Sequence, residues 1–191
     1  MRILGTNLAM FRGFAAPATI GALIGTQSKE RLMSIDTARV QNRRQPHFDK
    51  LEDILADVEQ LNRGNIKSLG NWSSGQILHH VSTVMNQSID GSPIQFSLIL
   101  RIFGKIMKAR VLNKGMPPGF QLKGRAAEIL VPPATTWESG LAEIRHAIHR
   151  LQSEPNRAPS PFLGAMTREE WDKLHCRHCE LHLSFLVPQD N

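Results

Sequence analysis

Three segments of this chain open on the capping-box pattern, and no other local feature constrains its fold as strongly. In a capping box the first side chain accepts the amide three positions on, and the carboxylate found there reaches back. Asp49 with Glu52, Thr135 with Glu138, and Thr167 with Glu170 have that spacing. Around the first, Phe48, Leu51, Leu55 and Val58 follow helical period, and Gly64 closes the segment. After the second come Leu141, Ile144, Ile148 and Leu151. At the third, Met166 and Trp171 hold the hydrophobic-staple positions, and the helix is expected to run on to Pro188. Asn71-Trp-Ser-Ser74 starts a further helix with Ile77, Val81, Val84, Met85 and Ser88 on one face, ending before Asp90-Gly91. No alternating β pattern of useful length and no internal repeat accompanies these segments. The fold class is therefore all-α: a bundle of four core helices plus one additional amphipathic crossover helix.

The crossover helix is the segment 94–113. Phe96, Ile99, Leu100, Phe103, Ile106, Met107 and Val111 share one face, opposite Arg101, Lys105 and Lys108. Such a helix either packs its apolar face on its own domain with its cations in water or lies on an anionic membrane. The expectation here is the first. Gly115-Met-Pro-Pro-Gly119 stops the helix, and a proline-rich loop runs from Pro155 to Pro161.

At 191 residues the chain is long enough for one domain with a core of its own. Its 41% hydrophobic and 21% charged content belongs to a globular protein rather than a disordered one. The net charge is +6, and the stretch from Gly91 to Ala127 holds seven Lys/Arg and no acid. That clustering is modest and carries no reading motif, so nucleic acid is not an expected partner. No apolar run approaches the ~20 residues of a transmembrane segment. Tyrosine is absent, which removes a phenol from the candidate acids and ligands.

The first 29 residues contain Arg2, Arg12 and Lys29 but no acid, around a weakly apolar centre broken by Pro17. Two explanations fit: an export signal, or a start of translation at Met33. Residues 1–40 are thus read as a leader or poorly ordered segment and 41–191 as the bundle domain. The protein is expected in the cytoplasm, with export left open.

Helical angles of about 100° per residue sort the eight histidines. In the last helix Trp171, Leu174, Leu181 and Phe185 form the apolar face, with His178 along its middle and His182 close beside it. His175 lies on the edge of that face, Cys179 further round, and Cys176 points away. His80 flanks the apolar face of the second helix, whereas His79, His146 and His149 point outward. His47 precedes the first helix and has no helical face. Two inward imidazoles are unfavourable to bury without partners for their nitrogens. A metal shared with a third histidine is one solution, for which His80 is the candidate. Hydrogen bonding within the core, or a half-exposed helix, is the other.

Cys176-x2-Cys179 has the spacing of half a zinc ribbon, but the chain has no second pair. Redox pairs of this spacing sit at a helix N-terminus in a βαβ setting, which is missing here. The expectation is two ordinary helix cysteines.

Trp72-Ser-Ser-Gly-Gln-Ile-Leu-His-His80 followed by Trp171-x3-His175-x2-His178-x3-His182 resembles the DinB/YfiT-like superfamily of metal-binding four-helix bundles. Leu69-Gly-Asn-Trp72, Ser88-Ile-Asp-Gly91, Met116-Pro-Pro-Gly-Phe120 and Met166-Thr-Arg-Glu-Glu-Trp171 are similar to an uncharacterised subgroup of it, and the likeness covers residues 43–187. The resemblance implies one ligand eight residues after the tryptophan, His80, and a His-x3-His pair on the last helix, His178 and His182. It further implies a divalent metal, zinc or nickel, with open coordination positions, and a low-molecular-weight thiol as co-substrate. Glu59, near the inner face of the first helix, and Gln87, two turns from His80, are candidate partners behind the ligands, with His175 as a neighbour.

The function expected is a metal-dependent, thiol-using transferase or hydrolase acting on a small molecule. The alternative is a bundle that binds metal or ligand without turnover, and a membrane-surface protein is the third reading. No residue stands out as a catalytic group, and a homodimer is compatible with the sequence.

Overall fold

Two long helices make the most extensive contact of the computed structural model, which describes residues 34–119 and 124–189. Helix α2 spans Ser74–Asp90 and α5 spans Trp137–Ser153. Their N-terminal turns approach closely because two glycines meet there. A Cβ on Gly140 would stand 2.8 Å from the Gly75 carbonyl and 2.9 Å from Leu78 Cβ, and one on Gly75 would overlap the Thr135 and Thr136 carbonyls. With α1 (Leu51–Leu61) and α6 (Arg168–Leu183) these helices enclose the main core. Ile54 and Val58 enter it from α1, Leu78, Val81 and Met85 from α2, Ile144, Ile148 and Leu151 from α5, and Cys179 and Leu183 from α6. Helix α3 (Leu98–Lys114) crosses over and packs on α6, where Leu112, Leu163, Trp171 and Leu174 make a second, smaller cluster. The all-α bundle expected from the helical periods is the architecture observed.

The helix starts follow local chemistry. Ser73 caps α2, its hydroxyl accepting from Gln76 N–H at 3.2 Å while the Gln76 side chain accepts from Ser73 N–H at 2.9 Å. Thr167 and Glu170 make the expected reciprocal pair at the start of α6, at 3.2 and 2.9 Å. Two expected caps shift by one residue. At α1 the reaching carboxylate is Asp53 rather than Glu52, accepting from the amides of Asp49 and Lys50. At α5 the cap is Thr136, accepting from Ser139 N–H, while the Thr135 hydroxyl turns back to the Pro133 carbonyl.

Other expectations are corrected. Helix α6 stops at Leu183 rather than running to Pro188, and Leu186–Pro188 (β2) pairs antiparallel with Ile66–Ser68 (β1). Three residues are too few for a period-two pattern to be read. A short helix α4, Arg125–Leu130, lies in a stretch where none was expected. Most of the apolar face of α3 is not packed on the domain: Ile99, Leu100, Phe103 and Ile106 are exposed, Phe96 and Val111 are half-buried against Phe162 and the second cluster, and Gly104 and Leu112 face inward. Cys176, expected to point away, is buried, because α6 is packed on more than one side. Residues 1–33 of the expected leader lie outside the described residues, as does Phe120 of the Met116–Phe120 motif. Ser34–Val40 are described, with a 3-10 turn at Thr37–Arg39 and the Ile35 backbone bonded both ways to the Asn71 amide. Among the described residues no helix is long and apolar enough to cross a membrane.

Candidate metal centre

His80 sits two turns into α2, on the side that meets α4 and α6, and is 4% exposed. Its Nδ1 lies 2.8 Å from the carbonyl oxygen of Leu130, the last residue of α4. A carbonyl can only accept, so Nδ1 carries the proton. Burial lowers the His80 pKa from 6.5 to about 4, so the ring is neutral at pH 7 and Nε2 keeps a bare lone pair. That lone pair faces His178 Nε2 of α6 at 3.3 Å. Two facing imidazole nitrogens at this distance share either a proton on His178 or a cation.

His182 completes the cluster one turn further along α6. Its ring centroid is 4.6 Å from that of His80 and 4.5 Å from that of His178. One donor nitrogen from each of His80, His178 and His182 lies within 4.8 Å of the others. Burial first, and neighbouring imidazoles second, hold His178 and His182 well below the ordinary histidine range. The site therefore presents neutral rings, the form that coordinates metal.

Trp72 and the segment around Leu130 are the parts that residue patterns did not assign to the site. The indole stacks on His182 at 5.7 Å with an 11° interplanar angle and lies 4.8 Å from His80, walling two of the three rings. Its position before the second helix was legible, but not its contact with a ring of the last one. The Leu130 carbonyl had no sequence signal at all, since any residue there would supply it. Gln76 steadies that segment by donating its side-chain N–H to the Pro132 carbonyl at 3.0 Å.

The other candidates lie elsewhere. Glu59 pairs with Arg145 at 2.6 Å, joining α1 to α5, and the side-chain amide oxygen of Gln87 accepts from the Ser92 hydroxyl at 2.9 Å. Neither is a hydrogen-bond partner of the three imidazoles; the partner behind His80 is backbone. His175 is fully buried, stacked 5.3 Å from Trp171, with Nε2 3.0 Å from Ser88 Oγ. The Ser88 hydroxyl already donates to the Met85 carbonyl, so His175 Nε2–H donates and its Nδ1 is left bare, without a partner among the described residues. Burial pushes the His175 pKa down to about 3. His79 is paired with Glu143 at 2.7 Å, His47 sits by Glu180, and His146 and His149 are exposed. Cys176 and Cys179 are free and buried, and burial pushes the Cys176 thiol up to about 12 and the Cys179 thiol well above its usual value. As protonated thiols they are poor nucleophiles and poor ligands near neutral pH.

No curated protein and no solved structure matches this chain. The model of one family, described as a protein of unknown function (DUF1569), matches residues 40–189 of the 191, and the chain belongs to that family.

Proposed function

We propose that His80, His178 and His182 hold a divalent metal ion, zinc or nickel, and that the protein is a metal-dependent transferase or hydrolase using a small thiol or water. The observation that carries this reading is the 3.3 Å approach of the His80 and His178 Nε2 atoms, with the His80 proton committed to Leu130 on the other side of the ring. Two nitrogens bound at ~2.0–2.1 Å to one tetrahedral zinc stand roughly 3.3–3.4 Å apart. The donor set is also chemically suited, being three neutral imidazoles with one oriented by a backbone carbonyl. Placement of these histidines on the second and last helices of the four-helix core supports the likeness to DinB-type bundles.

Three protein ligands leave positions open, and an ion so held supplies Lewis-acid chemistry that lowers the pKa of a thiol or water. The chain's own residues set the stage for it. Leu130 fixes which nitrogen of His80 carries the proton, and Gln76 holds the segment that bears Leu130. Trp72 closes one side with an apolar surface, keeping water from the rings it covers.

Elemental analysis of untagged protein, beside a His178→Ala variant, tests the reading. About one equivalent of zinc or nickel in the native protein, lost in the variant, is the expected result. Native protein that stays metal-free without chelators present would overturn it. Metal retained without thiol transfer or hydrolysis across a substrate panel would leave a binding bundle without turnover.

A further inference from the structure

Helix α3 is oriented opposite to what its composition leads one to expect. Gly104 faces the 158–166 loop, so close to Phe162 that a Cβ there would overlap its carbonyl. One turn on, Lys108 Nζ donates to Glu170 at 2.6 Å and to the Ala165 carbonyl at 3.0 Å, and Leu112 is buried against α6. These contacts settle the rotation of the helix. They leave Leu98, Ile99, Ile102, Phe103 and Ile106 on the outer side, with Ile99 79% and Ile106 73% exposed.

At about 100° per residue those five side chains fall within one arc of roughly 140°. Single exposed aliphatic residues are ordinary, but a contiguous patch of this kind marks an interaction surface. Its rim has one sign of charge. Arg101 and Lys105 lie along one edge, Arg110 and Lys114 continue the other, all four are exposed, and no Asp or Glu occurs between Gly91 and Ala127.

That charge decides between occupants. A second copy meeting this face across a two-fold axis would set the basic rim against itself. An anionic bilayer surface complements both parts, the acyl boundary taking the apolar arc and the headgroup phosphates taking the cations. Seventeen residues make a helix of about 25 Å, suited to lying in the interface plane.

We propose that α3 docks the protein on an anionic phospholipid surface, with its five outer apolar side chains entering the interface and the flanking arginines and lysines on the phosphates. This is independent of any metal at the histidine cluster.

Full-length protein sedimented with phosphatidylcholine vesicles, with and without phosphatidylglycerol, tests it. Binding is expected with phosphatidylglycerol only, falling as salt is raised. An Ile99→Ser/Ile106→Ser variant should bind roughly ten-fold or more weakly, the loss expected when buried aliphatic side chains are withdrawn from an apolar phase. A Lys105→Glu/Arg110→Glu variant should also bind weakly, and both should keep the parent's helical circular dichroism because the altered side chains are exposed. Absence of vesicle binding, or equal binding by the parent and both variants, would overturn the proposal. So would a concentration-dependent dimer that the Ile99→Ser/Ile106→Ser variant dissociates, since that result assigns the patch to a second copy.

Discussion

The carbonyl of Leu130 accepts a hydrogen bond from His80 Nδ1 at 2.8 Å, across 50 residues of sequence. A main-chain atom thereby decides the tautomer of the imidazole at the centre of the cluster, and the short helix α4 is tied to the site through it. Gln76, donating to Pro132, is the second tie of the same segment. On the proposed metal site, replacing Gln76 with Ala is expected to weaken zinc affinity by about ten- to a hundred-fold, as loss of a group orienting a ligand does. Stability should fall by only about 1 kcal/mol. Competitive titration with a chelating dye, beside urea unfolding, checks both; unchanged affinity would detach α4 from the site.

Acid should destabilise the fold through its buried imidazoles. In the folded protein His175 takes up a proton only near pH 3 and His80 only near pH 4, whereas an unfolded histidine does so near 6.5. Between those values the unfolded chain binds more protons, so stability is fully present above about pH 6.5 and is lost as pH falls below it. Each such ring contributes up to about 1.4 kcal/mol per pH unit in that window. Urea midpoints measured from pH 7 to pH 5 on metal-free protein should drop, and drop less steeply in a His175→Gln variant. A flat profile would contradict the burial of these rings.

Gly140→Ala sets two effects against each other. Helix propensity favours alanine by about 1 kcal/mol. The new methyl, however, would lie 2.8 Å from the Gly75 carbonyl and 2.9 Å from Leu78 Cβ, neither of which is the end of a flexible side chain. Overpacking of about 1–3 kcal/mol should win and lower the melting temperature. A more stable variant would show that α2 and α5 can separate there without cost.

Cys176 and Cys179 should resist thiol reagents in the native protein. Both are buried, with thiols held protonated by burial. Negligible labelling at neutral pH is expected, followed by release of both thiols in guanidinium. Fast labelling of either one before unfolding would mean that α6 opens locally.

Several local features were readable from residue order because the physics that sets them is local. Thr167 and Glu170 lie one helical turn apart wherever the helix goes, so their cap needs no tertiary partner to be foreseen. The spacing of His178 and His182 likewise puts both rings on one side of α6. The caps that moved by one residue are instructive. Asp49, Lys50, Glu52 and Asp53 offer two carboxylates within one turn, and Thr135-Thr136 offers two hydroxyls, so the pattern alone does not choose between them.

Periodicity says which residues share a face of a helix but not which way the face turns. In α3 the apolar stripe was plain, yet the close approach of Gly104 to Phe162 and the Lys108–Glu170 pair rotate it outward. Burial of Cys176 is not legible in the periodicity for a related reason: a helix packed on more than one side has no single apolar face. Sequence by itself thus determined the helical class, the caps of α1, α5 and α6 to within a residue, and the pair of imidazoles on α6, whereas α3 starts at Leu98, four residues after the start expected for it. Tertiary structure decided how closely His80 approaches them, which carbonyl holds its proton, and which side of α3 faces water. Those depend on contacts between segments 50 to 98 residues apart, where space rather than sequence spacing sets the distance.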